Sequence, residues 1–126
     1  MSPQLFTGTG APGKVAFVFP GQGSQQPDMG AALAMHFDAA RAVLDRAEGV
    51  LPLSRLIHPP PAFADDERAA QRAALTRTEN AQPALGAVSL AFLRVVEELG
   101  LSCDMAAGHS FGELLSWMVE DASCLR

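Results

Sequence analysis

A serine between two glycines is the feature of this 126-residue sequence that most clearly predicts chemistry. Gly108, Ser110 and Gly112 form a G-x-S-x-G pattern between a short apolar segment and a helical one. Such glycines permit a sharp strand-to-helix turn that exposes the serine hydroxyl, an arrangement called a nucleophile elbow. Ser110 is therefore a candidate nucleophile, and the backbone N–H of Phe111 is a candidate donor to an oxyanion. The alternative is a glycine-rich turn in which Ser110 caps a helix.

A second glycine-rich loop offers another oxyanion donor. Gly21 and Gly23 flank Gln22 directly after the first apolar run of the sequence. Glycines let the backbone approach a ligand closely, so the N–H of Gln22 is the candidate donor. A plain β-turn is the alternative. Gln82 is a further polar residue, near a predicted helix start, where ordinary capping is also an adequate explanation.

A serine nucleophile needs a base, and the sequence contains three histidines. His109 adjoins Ser110, and because neighbouring side chains at a strand end point apart, we expect it to shape the site rather than to take the proton. We expect His36 to be solvated on the polar side of a helix, and His58 to be solvated before a run of prolines. The sequence thus contains a candidate nucleophile without a recognisable base.

Apolar patterning predicts the elements that hold these residues. The wholly apolar residues 15–19 predict a strand buried on both faces, and residues 105–107 predict a second strand. Between them we expect two helices over about residues 28–48, with a bend near Phe37 and Asp38 as a helix cap.

The middle of the sequence predicts a loop over residues 52–64 and a charged helix over residues 65–77. A long amphipathic helix follows and ends at Gly100, with Asn80 as its candidate cap and Pro83 in its first turn. Another helix follows Ser110. Strands separated by helices in this order predict an α/β fold with parallel strands.

Composition excludes several classes of protein. Nine Lys and Arg residues against 14 Asp and Glu residues give a net charge of −5, which argues against nucleic-acid binding. No apolar run approaches the roughly 18 residues needed to cross a membrane. Cys103 and Cys124 have neither metal-site nor redox-pair spacing, and the N-terminus lacks the pattern of a signal peptide, so we expect a cytoplasmic protein.

Three blocks of sequence resemble the malonyl-CoA:acyl-carrier-protein transacylases, which include the acyltransferase domains of fatty acid and polyketide synthases. The blocks are residues 15–25, 78–85 and 108–113, the last of which reads Gly-His-Ser-Phe-Gly-Glu. The resemblance covers about residues 14–115 and implies a partial α/β-hydrolase-like acyltransferase fold with a nucleophile elbow. Residues 1–13 are then expected to be a linker or disordered tail, and residues 14–126 the N-terminal part of a truncated acyltransferase domain.

The resemblance also implies a reaction and its partners. A malonyl or related acyl group would pass from coenzyme A to an acyl carrier protein through an acyl-Ser110 intermediate, in polyketide or fatty acid biosynthesis. The N–H groups of Gln22 and Phe111 would hold the oxyanion, Gln82 would line the pocket, and His109 belongs to the elbow motif. No metal and no cofactor are implied, and adjoining synthase domains are further candidate partners.

The sequence departs from the family after the serine. The family's catalytic histidine, the arginine that pairs with the malonyl carboxylate and the ferredoxin-like subdomain all lie further downstream than this sequence extends. We therefore expect the chain by itself to be incomplete and inactive. A serine hydrolase or thioesterase with the same elbow, and a non-catalytic fragment, are the alternatives.

Overall fold

The computed structural model describes residues 9–11 and 13–124, and describes side chains as far as Val119. Most of the predicted tail over residues 1–13 therefore lies outside the described residues. Within the described residues, two strands and six helices follow one another in the order predicted for an α/β fold. They are β1 (Ala16–Phe19), α1 (Ala31–His36), α2 (Asp38–Glu48), α3 (Ser54–Ile57), α4 (Asp65–Thr76), α5 (Thr78–Glu98), β2 (Met105–Gly108) and α6 (Phe111–Cys124).

The two strands form a parallel sheet, as predicted. Ala16 pairs with Met105 at one end and Phe19 pairs with Gly108 at the other. One face of this sheet packs against α5 and α6, where buried Phe19 contacts a cluster that includes Leu93 and Leu115. The strand ends are therefore held next to the first turn of α6.

The prediction that β1 is buried on both faces is wrong. Val18 is 75% exposed, and its neighbour across the sheet, Ala107, is exposed too. Ala16 and Met105 lie on the same exposed face. A continuous apolar run is suited to a sheet covered on both sides, but within the described residues the helices that pack on this sheet cover only one side.

The bend between the first two helices lies at Phe37, as predicted, because Phe37 adopts an extended conformation between α1 and α2. The predicted cap is wrong by one residue. Phe37 occupies the cap position, and Asp38 is the first residue of α2. Its carboxylate there lies in the first turn, where the helix dipole favours a negative charge.

The start of α5 is also displaced from its prediction. Extended Arg77 is the cap, and its carbonyl accepts a hydrogen bond from the N–H of Ala81 at 2.8 Å, so the helix begins at Thr78. Asn80 is therefore not the cap. Its side-chain amide instead donates to the carbonyl of Ala74 at 2.8 Å and ties α5 to α4. Pro83 consequently lies in the second turn rather than the first.

The end of α5 agrees with its prediction. Gly100 has a φ of 81°, a left-handed conformation that glycine adopts without strain. Its N–H donates to Glu97, and the N–H of Leu101 donates to Val96 at 3.1 Å, which completes a Schellman motif. This turn directs the chain back toward β2.

The segment predicted as a loop over residues 52–64 contains the short helix α3. Glu48 accepts hydrogen bonds from the backbone N–H of Ser54 at 2.7 Å and from its hydroxyl at 2.8 Å, which satisfies the start of this helix. The predicted charged helix is confirmed as α4. Ile57 and Leu75 are buried against α5.

Among the helices of the described residues, none combines the length and apolar character needed to cross a membrane.

Candidate active site

Ser110 lies in a tight turn between β2 and α6. Its φ is 56°, in the left-handed region that residues with a β-carbon seldom occupy. The turn is closed by two hydrogen bonds of 3.0 Å, from the N–H of Gly112 to the carbonyl of His109 and from the N–H of Glu113 to the carbonyl of Ser110. Ser110 itself is exposed. The chain therefore presents this hydroxyl to solvent at the head of a helix.

The glycines on either side of Ser110 are required by close packing. A β-carbon on Gly108 would overlap the carbonyl of Gly112 and the nitrogen of Glu113. A β-carbon on Gly112 would in turn overlap the carbonyl oxygen of Phe19 and lie 2.9 Å from that of Pro20. The turn is therefore pressed between the end of β1 and the first turn of α6.

Gln22 lies in a β-turn over residues 21–24. The carbonyl of Gly21 accepts from the backbone N–H of Ser24 at 3.3 Å and from its hydroxyl at 2.7 Å. Gly23, with a φ of 110°, occupies the third position, as a type II turn requires. A β-carbon on Gly21 would overlap the carbonyl oxygen of His109 and lie 3.0 Å from its Nδ1. The Gln22 turn and the Ser110 turn are thus in direct contact, although they are far apart in the sequence.

Two backbone donors remain available at these turns. In the part of the chain that the structure describes, neither the N–H of Gln22 nor the N–H of Phe111 donates to a protein acceptor. Phe111 is the first residue of the 14-residue α6. The N-terminal end of such a helix favours negative charge. An anion beside Ser110 would therefore find unused donors on the two turns that flank it.

The histidines provide no base at Ser110 within the described residues. His109 is exposed, and its backbone N–H donates to the carbonyl of Phe19 at 3.2 Å. Its ring lies beside Gly21. His36 is exposed on α1, as predicted. Across residues 9–11 and 13–119, no imidazole is hydrogen-bonded to the hydroxyl of Ser110.

The prediction that His58 is solvated is wrong. Its side chain is only 32% exposed, and its Nδ1 lies 3.7 Å from a carboxylate oxygen of Asp28. Asp28 has a φ of 64°, and its N–H donates to the carbonyl of Ile57. His58 therefore belongs to the junction between α3 and the loop before α1. The proline run that follows it gave no indication of this contact.

The side chain of Gln22 reaches the start of α5. Its Nε2 donates to Oγ1 of Thr78 at 3.1 Å, across a separation of 56 positions in the sequence. Gln82 lies one turn further along the same helix and is half-buried. Thr78 is the first residue of the block over residues 78–85 that carries the family resemblance, but the sequence assigned it no role, because nothing local to Thr78 indicates which distant loop it will meet.

The first turn of α5 also carries a paired charge. Glu79 accepts a hydrogen bond from Nε of Arg77 at 2.8 Å. A hydrogen bond from its own backbone N–H to the carboxylate, together with the positive charge of Arg77, lowers the pKa of Glu79. This carboxylate therefore stays ionised in an exposed ion pair with Arg77 at the start of α5.

An open apolar groove runs beside the Gln22 turn, between β1 and α5. Its volume is about 410 Å³, and Pro20 and Ser24 line it together with apolar side chains that include Val18 and Phe92. Ser110 and Gln82 lie outside this groove. The predicted role of Gln82 in a pocket therefore stays a prediction.

Known proteins are similar to this chain in both sequence and fold. The family described as acyl transferase domain matches residues 16–124. The malonyl CoA-acyl carrier protein transacylase of Bacillus subtilis (strain 168) is 44% identical over 102 residues, which cover 79% of this chain and 29% of that protein. The chain spans less than a third of the length of the curated relatives it matches.

Solved structures agree with these relatives. An acyl-carrier-protein-S-malonyltransferase from Bartonella henselae, 44% identical, gives a TM-score of 0.67 over 80% of this chain and 31% of that chain. In a solved complex of a type II PKS acyl-carrier protein with its malonyl-transacylase, the matching chain is 37% identical and gives a TM-score of 0.67. That match covers 82% of this chain and 31% of the other.

Proposed function

This chain belongs to the acyl transferase domain family, and from that membership we propose that Ser110 is the nucleophile that carries the acyl group during transfer. The observation that supports this role most directly is the turn that holds Ser110. A serine in a left-handed conformation, at the head of α6 and between two glycines whose β-carbons would overlap main-chain atoms, supports a nucleophile elbow in an α/β-hydrolase-like fold.

The proposed reaction has two half-reactions. In the first, Oγ of Ser110 attacks the thioester carbonyl of an acyl-CoA, a C–O bond forms, and the C–S bond breaks as the coenzyme A thiol leaves with a proton. In the second, the phosphopantetheine thiol of a carrier protein attacks the acyl-serine ester, a C–S bond forms, the C–O bond to Ser110 breaks, and the serine oxygen takes up the proton of the thiol. Neither step changes an oxidation state, so the proposed transfer requires no redox cofactor.

Each half-reaction passes through a tetrahedral oxyanion. The N–H groups of Gln22 and Phe111 are the proposed donors to it, because they lie on the two turns in contact at Ser110 and are not used within the described residues. Donors already in place at the site of developing charge lower the barrier without reorganisation. We assign His109 the role of fixing the Gln22 turn, through its contact with Gly21, and Gln82 a role in lining the acyl pocket.

The substrates follow from the relatives. The Bacillus subtilis protein is named for malonyl-CoA and an acyl carrier protein, and the solved complex pairs a malonyl-transacylase with its carrier protein. We propose malonyl-CoA, or a related acyl-CoA, as donor and an acyl carrier protein as acceptor, in polyketide or fatty acid biosynthesis. Because no described histidine is placed on the Ser110 hydroxyl, we also propose that the 126-residue chain alone does not turn over.

One experiment tests both proposals, that Ser110 is the nucleophile and that the isolated chain is inactive. The isolated chain and a chimera are each incubated with malonyl-CoA, then analysed by intact mass and peptide mapping. In the chimera, residues 14–115 replace the matching segment of the Bacillus subtilis transacylase. We expect a malonyl adduct on Ser110 in the chimera and none in the isolated chain.

Two alanine variants of the chimera complete this experiment. Ser110→Ala should lose the adduct, whereas Ser102→Ala, at an exposed serine in the loop before β2, should keep it. A folded chimera that is acylated equally well without Ser110 would refute the proposed nucleophile. An adduct on Ser110 of the isolated chain would refute the proposed inactivity and leave the nucleophile supported. Release of free malonate without a carrier protein would favour a hydrolase.

A further inference from the structure

We propose that Thr78 is a positioning residue of the Ser110 site, whose hydroxyl fixes the Gln22 turn by accepting a hydrogen bond from the Gln22 side chain. Its importance to catalysis rests on the function proposed above, in which the backbone N–H of Gln22 donates to the oxyanion. The hydrogen bond itself joins two segments separated by 56 positions, with 3.1 Å between Nε2 and Oγ1.

The Gln22 turn needs such a contact because glycines flank Gln22 on both sides. Gly21 and Gly23 allow the intervening peptide groups to rotate with little steric resistance. The turn is held at its base by the contact of Gly21 with His109 and by the two hydrogen bonds from Ser24 to the carbonyl of Gly21. Beyond its tip, the N–H of Gly23 donates to the side chain of Gln25 at 2.7 Å. Among the described residues, the side chain of Gln22 itself has only Thr78 as a hydrogen-bond partner.

Thr78 is a rigid partner for this side chain. It is the first residue of the 21-residue helix α5, whose next turns are anchored by buried Ala81, Ala84 and Leu85. The branched β-carbon of threonine further restricts rotation of its side chain. The glycine-flanked turn is thus anchored to a helix with many buried residues, as a preorganised oxyanion donor requires.

The same helix face carries a second residue of the proposed site. Thr78 and Gln82 are four positions apart, so they lie one above the other on α5. Movement of the first two turns of α5 would therefore displace the proposed pocket residue and the anchor of the Gln22 turn together. Thr78 links these two parts of the site through a single helix.

The experiment records ¹H–¹⁵N spectra and amide hydrogen exchange of the 126-residue chain and three variants. Thr78→Val keeps the shape of the side chain and removes the hydroxyl, and Thr78→Ser keeps the hydroxyl. Thr76→Val is the matched control, since exposed Thr76 donates its hydroxyl to the carbonyl of Arg72 instead. Urea unfolding of each variant shows whether the fold is intact.

We expect Thr78→Val to shift the side-chain amide signals of Gln22. It should also accelerate exchange of the backbone amide of Gly23, which donates to the side chain of Gln25, by about 2- to 10-fold, the effect of losing one hydrogen bond. Thr78→Ser should restore both, and Thr76→Val should change neither. A Thr78→Val spectrum that matches the parent at Gln22 and Gly23, or a Thr78→Ser variant that fails to restore it, overturns the proposal.

A second variant removes the same contact from the other side. Gln22→Met deletes the donor at similar side-chain size, and adding Thr78→Val to it should then change the exchange of Gly23 no further.

In the chimera described above, Thr78→Val should lower kcat about tenfold at unchanged KM, with rescue by Thr78→Ser. Unchanged kcat in a chimera that still needs Ser110 would refute the positioning role alone, whereas a chimera that is acylated without Ser110 would refute the proposed function.

Discussion

The backbone of Gly108 lies directly against the carbonyl group of Gly112, with no space between them for a β-carbon. This contact joins the last residue of β2 to the first turn of α6. Ser110 is the midpoint of the short segment that connects the two glycines, and its left-handed φ of 56° follows from closing the chain so tightly. The exposed position of the hydroxyl is thus a consequence of backbone packing.

Replacing Gly108 with alanine should destabilise the protein severely. The new β-carbon would meet main-chain atoms of Gly112 and Glu113, which cannot rotate away as a side chain can. We expect a loss of about 3 kcal/mol in the free energy of unfolding, at the upper end of overpacking effects. Urea denaturation measures it. Gly13→Ala is the control, because a β-carbon there meets nothing within 4 Å, and an equal loss in both variants would contradict this explanation.

The conformation of Ser110 predicts an unusual order of stability between two variants. At most positions a variant with alanine is more stable than a variant with glycine, because glycine loses more conformational entropy on folding. At a φ of 56° the order should reverse, since a β-carbon in the left-handed region costs about 1–2 kcal/mol. We expect Ser110→Gly to be more stable than Ser110→Ala by about 1 kcal/mol in urea unfolding. An Ser110→Ala variant as stable as Ser110→Gly would show that the turn is not strained.

The comparison of these turns with the sequence shows which parts of the site could be predicted. The glycine at position 108 could be predicted from local sequence, because the main-chain atoms that exclude a β-carbon there belong to Gly112 and Glu113. The requirement at Gly112 comes instead from the end of β1. The α/β order of elements was likewise predictable from apolar runs and periodicity. Gly100 was recognisable as a helix end for the same reason, since a left-handed residue after a helix favours glycine.

Features that depend on distant residues could not be predicted in this way. The hydrogen bond between Gln22 and Thr78 and the contact between His58 and Asp28 each join separate loops. Caps were misplaced at Asp38 and Asn80 because the residues at the cap positions, Phe37 and Arg77, make no side-chain cap hydrogen bond, so a search for polar capping residues does not find them. The exposure of Val18 on β1 was not predicted, because an apolar side chain favours burial but does not indicate whether another element covers it.

The attachment of α6 can be tested with two adjacent leucines. Leu115 is 3% exposed and packs in the cluster with Phe19 and Leu93, whereas Leu114 is 50% exposed. We expect Leu115→Ala to lower the free energy of unfolding by about 2–5 kcal/mol, through lost burial and a residual cavity. Leu114→Ala should change it by less than about 1 kcal/mol. Equal effects of the two substitutions in urea unfolding would mean that α6 is not packed on the sheet through this face.

The pairing of Glu48 with Ser54 predicts how stability depends on pH. The backbone N–H and the hydroxyl of Ser54 donate to one carboxylate oxygen, and these hydrogen bonds lower the pKa of Glu48. A lowered pKa in the folded state means that the unfolded chain takes up this proton more readily as the solution becomes acidic. The contribution of Glu48 is therefore complete above the ordinary glutamate pKa of about 4.3 and is lost as the pH falls through its folded pKa.

Unfolding in urea from neutral to acidic pH tests this linkage. Glu48→Gln should be less stable than the parent at neutral pH, and the difference should disappear in acid, because both proteins then carry an uncharged side chain at this position. At neutral pH, Ser54→Ala should be less stable than the parent by part of the amount that Glu48→Gln loses, since it removes the hydroxyl donor and retains the backbone donor. Ser102→Ala, at an exposed serine in the loop before β2, is the matched control and should follow the parent at every pH. A Glu48→Gln difference that persists unchanged in acid would show that the carboxylate charge contributes nothing to the start of α3.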